Sequence, residues 1–115
     1  MVSGSADVVV PPVEEQLYPF SWLPKGEHSL ALMRNGTHFS VLEQPTADEK
    51  ALPIATGVLG DHGEIAQSYL ASLSLAFVRR YGGGDDSADE YLSSAYGQHL
   101  SQPEMPFEYC AIAQA

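Results

Sequence analysis

His38 is the side chain of this sequence best mounted for chemistry. It follows a short apolar run, Leu30-Ala31-Leu32-Met33, and a turn, Arg34-Asn35-Gly36, and its neighbours are Thr37, Phe39 and Ser40. Asn-Gly tolerates positive φ, so it ends a strand abruptly and presents the residues that follow at the strand's edge. An imidazole held there can take up or release a proton near neutral pH. The same dipeptide also marks ordinary turns, and a single histidine is more often a hydrogen-bonded structural residue. A second turn, thirty-one residues earlier, supplies the partner that an acid–base role requires: Gly4-Ser5-Ala6-Asp7. A carboxylate beside an imidazole fixes its tautomer and stabilises it once protonated, which makes Asp7 and His38 the candidate catalytic residues.

The two turns meet only if the elements before them are neighbours. Val2-Ser3 reads as the end of a strand, and since two or three residues are too few for a whole one, the chain is expected to open inside an element. Pro11-Pro12 starts a short helix, with Val13, Gln16 and Leu17 at helical spacing and Glu14 and Glu15 near its positive end, and Pro19 is expected to stop it. Phe20, Trp22 and Leu23 form an apolar cluster, and Pro24-Lys25-Gly26-Glu27 a turn. His28 to Arg34 is then a strand whose continuous apolar run suits burial on both faces. Strand, helix, strand makes the two strands parallel and ends both at one edge of the sheet. Adjacent strands lie about 4.8 Å apart, so side chains on the two following turns touch. The carboxyl edge of a parallel sheet is also where active sites of such folds sit.

These residues carry a family resemblance. Gly4-Ser5-Ala6-Asp7-Val8-Val9-Val10-Pro11 resembles the acid turn of the α/β-hydrolase superfamily, and Gly36-Thr37-His38-Phe39-Ser40 its histidine turn. Tyr18-Pro19-Phe20-Ser21-Trp22-Leu23 and Tyr69-Leu70-Ala71-Ser72-Leu73-Ser74-Leu75-Ala76-Phe77 are similar to bacterial, especially cyanobacterial, hydrolases of the dienelactone-hydrolase and platelet-activating-factor-acetylhydrolase type. The likeness spans nearly the whole chain but only the last third of such an enzyme. It implies an α/β fold made of the last strands of a parallel sheet with covering helices, incomplete as a stand-alone sheet. It implies Asp7 as triad acid and His38 as general base for hydrolysis of carboxylic esters or lactones, with no cofactor and no metal. The order acid, then histidine, agrees with the superfamily's serine, acid, histidine.

One part of the pattern is missing. The nucleophile should sit in G-x-S-x-G, and no such pentapeptide occurs; Gly4-Ser5 lacks the second glycine and falls in the acid turn. The oxyanion-hole segment and the first strands are absent as well. Without a nucleophile the pair has nothing to activate, so the 115-residue chain alone is expected to be inactive. The expected partners are a segment carrying the rest of the enzyme, or a second copy, and a small ester substrate in the complete protein. The alternative is a small non-catalytic module that self-associates or binds a partner protein through the Phe20 and Trp22 cluster and an unpaired strand edge.

The remainder of the chain reads as scaffold. Residues 43–60 are a proline- and acid-rich surface excursion within a single segment, 1–115. Asp61 with Glu64 reads as an N-cap pair for a helix on which Ile65, Tyr69, Leu73, Ala76, Phe77 and Arg80 recur, ending at Arg79-Arg80 and Gly82. Gly82-Gly83-Gly84-Asp85-Asp86 lacks the lysine of a phosphate loop and reads as a flexible connector. Ser87 with Glu90 caps a second helix bearing Leu92, Ala95, Tyr96 and Leu100, stopped by Pro103 and Pro106, and the last nine residues are extended.

His62 and Glu64 form a His-x-Glu, but the cysteine half of a zinc-deaminase signature is impossible with Cys110 as the single cysteine. The same count rules out an internal disulfide, and the apolar setting of Cys110 suggests a packed or partner-facing thiol. His28, His62 and His99 stand at no ligand spacing. Asn35-Gly36-Thr37 matches a glycosylation sequon that a turn explains. Fifteen acidic residues against five basic ones, a net charge of −10, repel phosphate backbones and anionic lipid, which argues against nucleic-acid and membrane partners. No apolar run reaches the roughly 18 residues of a membrane span, and the start lacks signal-peptide character, so a soluble, cytoplasmic chain is expected.

Overall fold

The computed structural model describes residues 1–40 and 60–113, so nearly all of the 43–60 excursion lies outside the described residues. Among the described residues three strands form one sheet: β1 (Val2–Gly4), β2 (Glu27–Met33) and β3 (Phe107–Ala113), in the order β1-β2-β3. The chain has a mixed α/β architecture. β1 and β2 are parallel neighbours, with Val2 opposite Ala31 and Gly4 opposite Met33, as the crossover between them requires. β3 runs antiparallel to β2, from Met33 opposite Phe107 to Glu27 opposite Ala113, so the sheet is mixed where a wholly parallel one was expected.

The crossover is one wide helical turn, Val13–Leu17, that runs straight into the short helix α1 (Tyr18–Ser21). Pro19 was expected to stop this segment and instead lies within it. The Tyr18 N–H already reaches back five residues to the Val13 carbonyl, so the ladder has slipped by one before the proline and its missing N–H falls at a helix start.

The long helix α2 (Gly63–Phe77) lies where the periodicity predicted, although Asp61 does not cap it. His62 takes the cap position in a left-handed conformation, φ 58°, and its carbonyl accepts from the N–H groups of Ile65 and Ala66. A wide turn, Val78–Gly82, extends the helix, and Gly83 closes it on the Val78 carbonyl. The Asp85-Asp86 region is not a free connector. Arg79 pairs with Asp85, and Arg80 with Asp86 and Asp89, which ties the end of α2 to a short 3-10 segment, Asp86–Tyr91. Where one helix capped by Ser87 was expected there are two pieces with other caps. Asp85 accepts from the Ser87 N–H, and Ser93 accepts from the Tyr96 N–H to start α3 (Ser94–Leu100).

Among the described residues, one face of the sheet carries the core. Ala31 and Met33 of β2, Phe107 and Tyr109 of β3, and Met105 pack against Ala66, Tyr69 and Leu73 of α2. Tyr69 is 2% exposed, stacks on Phe107 with ring centroids 4.4 Å apart, donates to the Met105 carbonyl at 2.8 Å and accepts from the Gln102 N–H at 2.7 Å. One buried ring therefore ties the helix to the sheet and to the approach of β3. α3 closes on β3 through Gly97, where an added Cβ would stand 2.8 Å from Tyr109 Cβ. The opposite face holds Leu30 and Leu32, half-buried, and the exposed Glu108 and Cys110, so among the described residues it is not covered as the other is, and of the two settings expected for the thiol the packed one does not hold. β3 shows the reason in its alternation of Phe107 and Tyr109 with Glu108 and Cys110, a one-sided pattern that the uniform run on β2 hides.

Candidate active site

Because β1 and β2 are parallel and adjacent, the turns that follow them lie side by side. The first folds back on itself through the Asp7 N–H, which donates to the Gly4 carbonyl at 3.2 Å. The second bends at Asn35, whose φ of 62° is the left-handed geometry that asparagine tolerates. Gly36 serves a different purpose, the close approach of two backbones. A Cβ on Gly4 would stand 2.3 Å from the Gly36 carbonyl oxygen, so the strand ends meet only because Gly4 has no side chain.

Hydrogen bonds cross the gap that these glycines allow. The Ser5 N–H donates to the Met33 carbonyl at 3.0 Å, the Ala6 N–H to the Gly36 carbonyl at 2.9 Å, and the Asn35 N–H to Ser5 Oγ at 2.8 Å. His38 rides on a tight turn of its own. There the Thr37 N–H donates to Ser40 Oγ at 2.7 Å, the Ser40 N–H returns to the Thr37 carbonyl at 3.3 Å, and both residues are buried. The Phe39 ring meets the His38 ring edge-on, with centroids 5.1 Å apart.

On this frame Asp7 Oδ2 lies 3.0 Å from His38 Nδ1. The other carboxylate oxygen, Oδ1, accepts from the N–H groups of Val9 at 3.0 Å and Val10 at 2.8 Å. Burial alone would push the Asp7 carboxyl up. The Val10 N–H, the paired imidazole and the Val9 N–H outweigh it and hold the group below the ordinary aspartate value. Asp7 is therefore ionised at neutral pH and can only accept, so Nδ1 of His38 carries the donated proton. The neutral ring then bears its lone pair on Nε2, which no described residue engages. Its side chain is 40% exposed while that of Asp7 is 6% exposed, so the orienting group is shielded and the proton acceptor is accessible. Both residues line an open cavity of about 320 Å³, together with Ser3, Gly4, Gln16 and Leu70.

The other polar residues singled out in the sequence are dispersed. His28 bonds the Pro24 carbonyl through Nε2 at 2.6 Å, His62 occupies the start of α2, and His99 lies against Tyr96. Among the described residues no three histidine, cysteine or acidic side chains gather as a metal site, and no helix is long and apolar enough to cross a membrane. Sequence reasoning missed Ser5 as the link between the turns and Thr37 with Ser40 as the support of His38. The small and hydroxyl residues flanking each candidate were the available signal. No family model, curated protein or solved structure matches the chain.

Proposed function

We propose that this chain is the acid- and base-bearing part of a serine hydrolase of the α/β-hydrolase superfamily, acting on carboxylic esters or lactones. The observation that carries this reading is the shielded Asp7 carboxylate at 3.0 Å from Nδ1 of an accessible His38, at the shared end of two parallel strands. In the complete enzyme, Nε2 takes the proton of a serine hydroxyl as its oxygen attacks the ester carbonyl, and later delivers that proton to the leaving alcohol. Water then repeats the cycle to release the acid, while Asp7 stabilises the imidazolium without itself becoming protonated.

The serine comes from outside these 115 residues, since no G-x-S-x-G occurs in them. Purified alone, the chain is expected to show no serine-dependent ester hydrolysis. In the longest reading frame that contains it, His38→Ala should lower kcat for a short-chain ester at least about a thousandfold with KM nearly unchanged. Full activity of His38→Ala in that longer protein, or serine-dependent activity of the 115-residue chain, refutes the proposal. A second reading, a non-catalytic interaction module, is favoured by Trp22, which is 75% exposed. A longer protein that binds no ester but loses a protein partner on Trp22→Ala would establish it instead.

A further inference from the structure

The turn between β2 and His38 carries a chemical weakness that its own packing demands. Position 35 needs a residue that accepts a left-handed backbone, φ 62°, and asparagine does. Position 36 needs a glycine, because a Cβ there would stand 3.0 Å from Met33 Cβ and 3.3 Å from Gly4 Cα. Together they set an Asn-Gly pair, whose second main-chain nitrogen no side chain shields, at the foot of the His38 turn. Asn35 is the single asparagine of the chain, it is exposed, and among the described residues none holds its carboxamide.

The reaction open to this pair needs only water. The Gly36 nitrogen gives up its proton and attacks Cγ of Asn35; the new C–N bond closes a five-membered succinimide, and ammonia leaves with that proton. Water then adds to one of the two ring carbonyls and breaks its bond to nitrogen. One opening gives aspartate, and the other gives isoaspartate, whose main chain runs through the side-chain carbon. Asparagine is thermolabile through such chemistry.

The fold opposes ring closure. Gly36 is buried, its N–H donates to the Met33 carbonyl at 3.1 Å and its carbonyl accepts from the Ala6 N–H at 2.9 Å, while the Asn35 N–H is held by Ser5 Oγ at 2.8 Å. Closing the ring must turn the Asn35–Gly36 peptide and take its N–H off Met33. Reaction therefore proceeds from momentary openings of the same contacts that bring Asp7 to His38.

We infer that Asn35 is a modification site of this protein, a spontaneous deamidation to isoaspartate that separates Asp7 from His38 and that the closed turns hold back. Isoaspartate adds one carbon to the main chain between β2 and Gly36, about 1.5 Å of extra path. Asp7 Oδ2 and His38 Nδ1 are 3.0 Å apart, so a displacement of that size takes them out of hydrogen-bonding distance. The aspartate product keeps the main-chain length and tolerates the left-handed backbone, so it leaves the pair in place. Deamidation needs the two turns but neither a serine nor an ester substrate, so it goes beyond the hydrolase reading and fails separately from it.

The test is incubation of the 115-residue chain at mildly alkaline pH, folded and in urea, with mass spectrometry of the tryptic peptide that begins at Asn35 and enzymatic methylation to count isoaspartate. Both samples should gain isoaspartate at position 35, the folded one at least about tenfold more slowly. Ser5→Ala, which takes away the acceptor of the Asn35 N–H, should speed the folded chain about threefold or more. The separated isoaspartate form should show the Asp7 carboxyl titrating higher than in the parent chain, while Asn35→Asp leaves that titration unmoved. Equal rates in the folded chain and in urea overturn the inference. So does a folded chain free of isoaspartate after about a hundred half-lives of the urea sample. An isoaspartate form whose Asp7 titration matches the parent chain's overturns it as well.

Discussion

Replacing Gly4 by alanine tests the idea that a backbone contact sets the geometry of the acid–base pair. The added Cβ would lie 2.3 Å from the Gly36 carbonyl oxygen and 2.6 Å from its carbon, whereas ordinary contact begins near 3.4 Å. Both neighbours are backbone, which cannot swing aside, so the turns must part by about 1 Å, at a cost of about 1–3 kcal/mol for such overpacking. A displacement of that size takes Asp7 Oδ2 and His38 Nδ1 from 3.0 Å to about 4 Å, beyond hydrogen-bonding distance. Asp7 keeps its bonds from Val9 and Val10 but loses the one from the imidazole, so its carboxyl should titrate higher than in the parent chain.

Gly36→Ala is the matched control. Its Cβ would meet Met33 Cβ at 3.0 Å, the Met33 carbonyl oxygen at 3.1 Å and Gly4 Cα at 3.3 Å, so it presses on the same contact but asks for shifts of only a few tenths of an ångström. The assay is carbon NMR of the Asp7 carboxyl against pH, with urea denaturation for stability. Gly4→Ala should raise the Asp7 pKa and lower stability clearly more than Gly36→Ala does. Equal effects of the two substitutions, or an unmoved Asp7 titration in a folded Gly4→Ala chain, would refute the reasoning.

Two further outcomes follow from the packing and the charges. Tyr69→Phe leaves the Met105 carbonyl and the Gln102 N–H without the hydroxyl that joins them, and should cost about 1–3 kcal/mol in urea denaturation; a change below about 0.5 kcal/mol would mean the hydroxyl is structurally idle. Asp7 has a lowered carboxyl pKa in the folded chain, so its ionised form favours folding above the ordinary value near 3.9. That contribution fades as pH falls through the lowered folded value. The stability lost in Asp7→Asn should accordingly be steady above about pH 5 and shrink below about pH 3.9, and a loss independent of pH would contradict it.

Much of the scaffold around the site is local and therefore readable in the sequence. The Asn35-Gly36 dipeptide specifies its turn through a φ that few residues tolerate, α2 declares itself by Tyr69, Leu73 and Ala76 at helical spacing, and a crossover between Val2 and Ala31 leaves parallel pairing as the ordinary outcome. The turn and the parallel pairing bring Asp7 and His38 to one edge of the sheet; the contact between the turns that sets their distance is not among these local signals.

What only the tertiary structure decided depends on groups far apart in the chain. No sequence pattern says that Gly4 must admit the Gly36 carbonyl, that Ser5 Oγ receives the Asn35 N–H, or that the Tyr69 hydroxyl bridges Gln102 and Met105. The antiparallel course of β3 and the one-sided burial of β2 likewise arise because residues 107–113 return to pair along its open side. Helix caps fell between the two cases. His62, Asp85 and Ser93 took positions that Asp61 and Ser87 could have filled, because the chain's path into each helix, more than the preference of any single residue, selects which carbonyl or side chain faces the free N–H groups. Local preference wins where one residue's own dihedral is at stake, and packing wins where two distant backbones must touch.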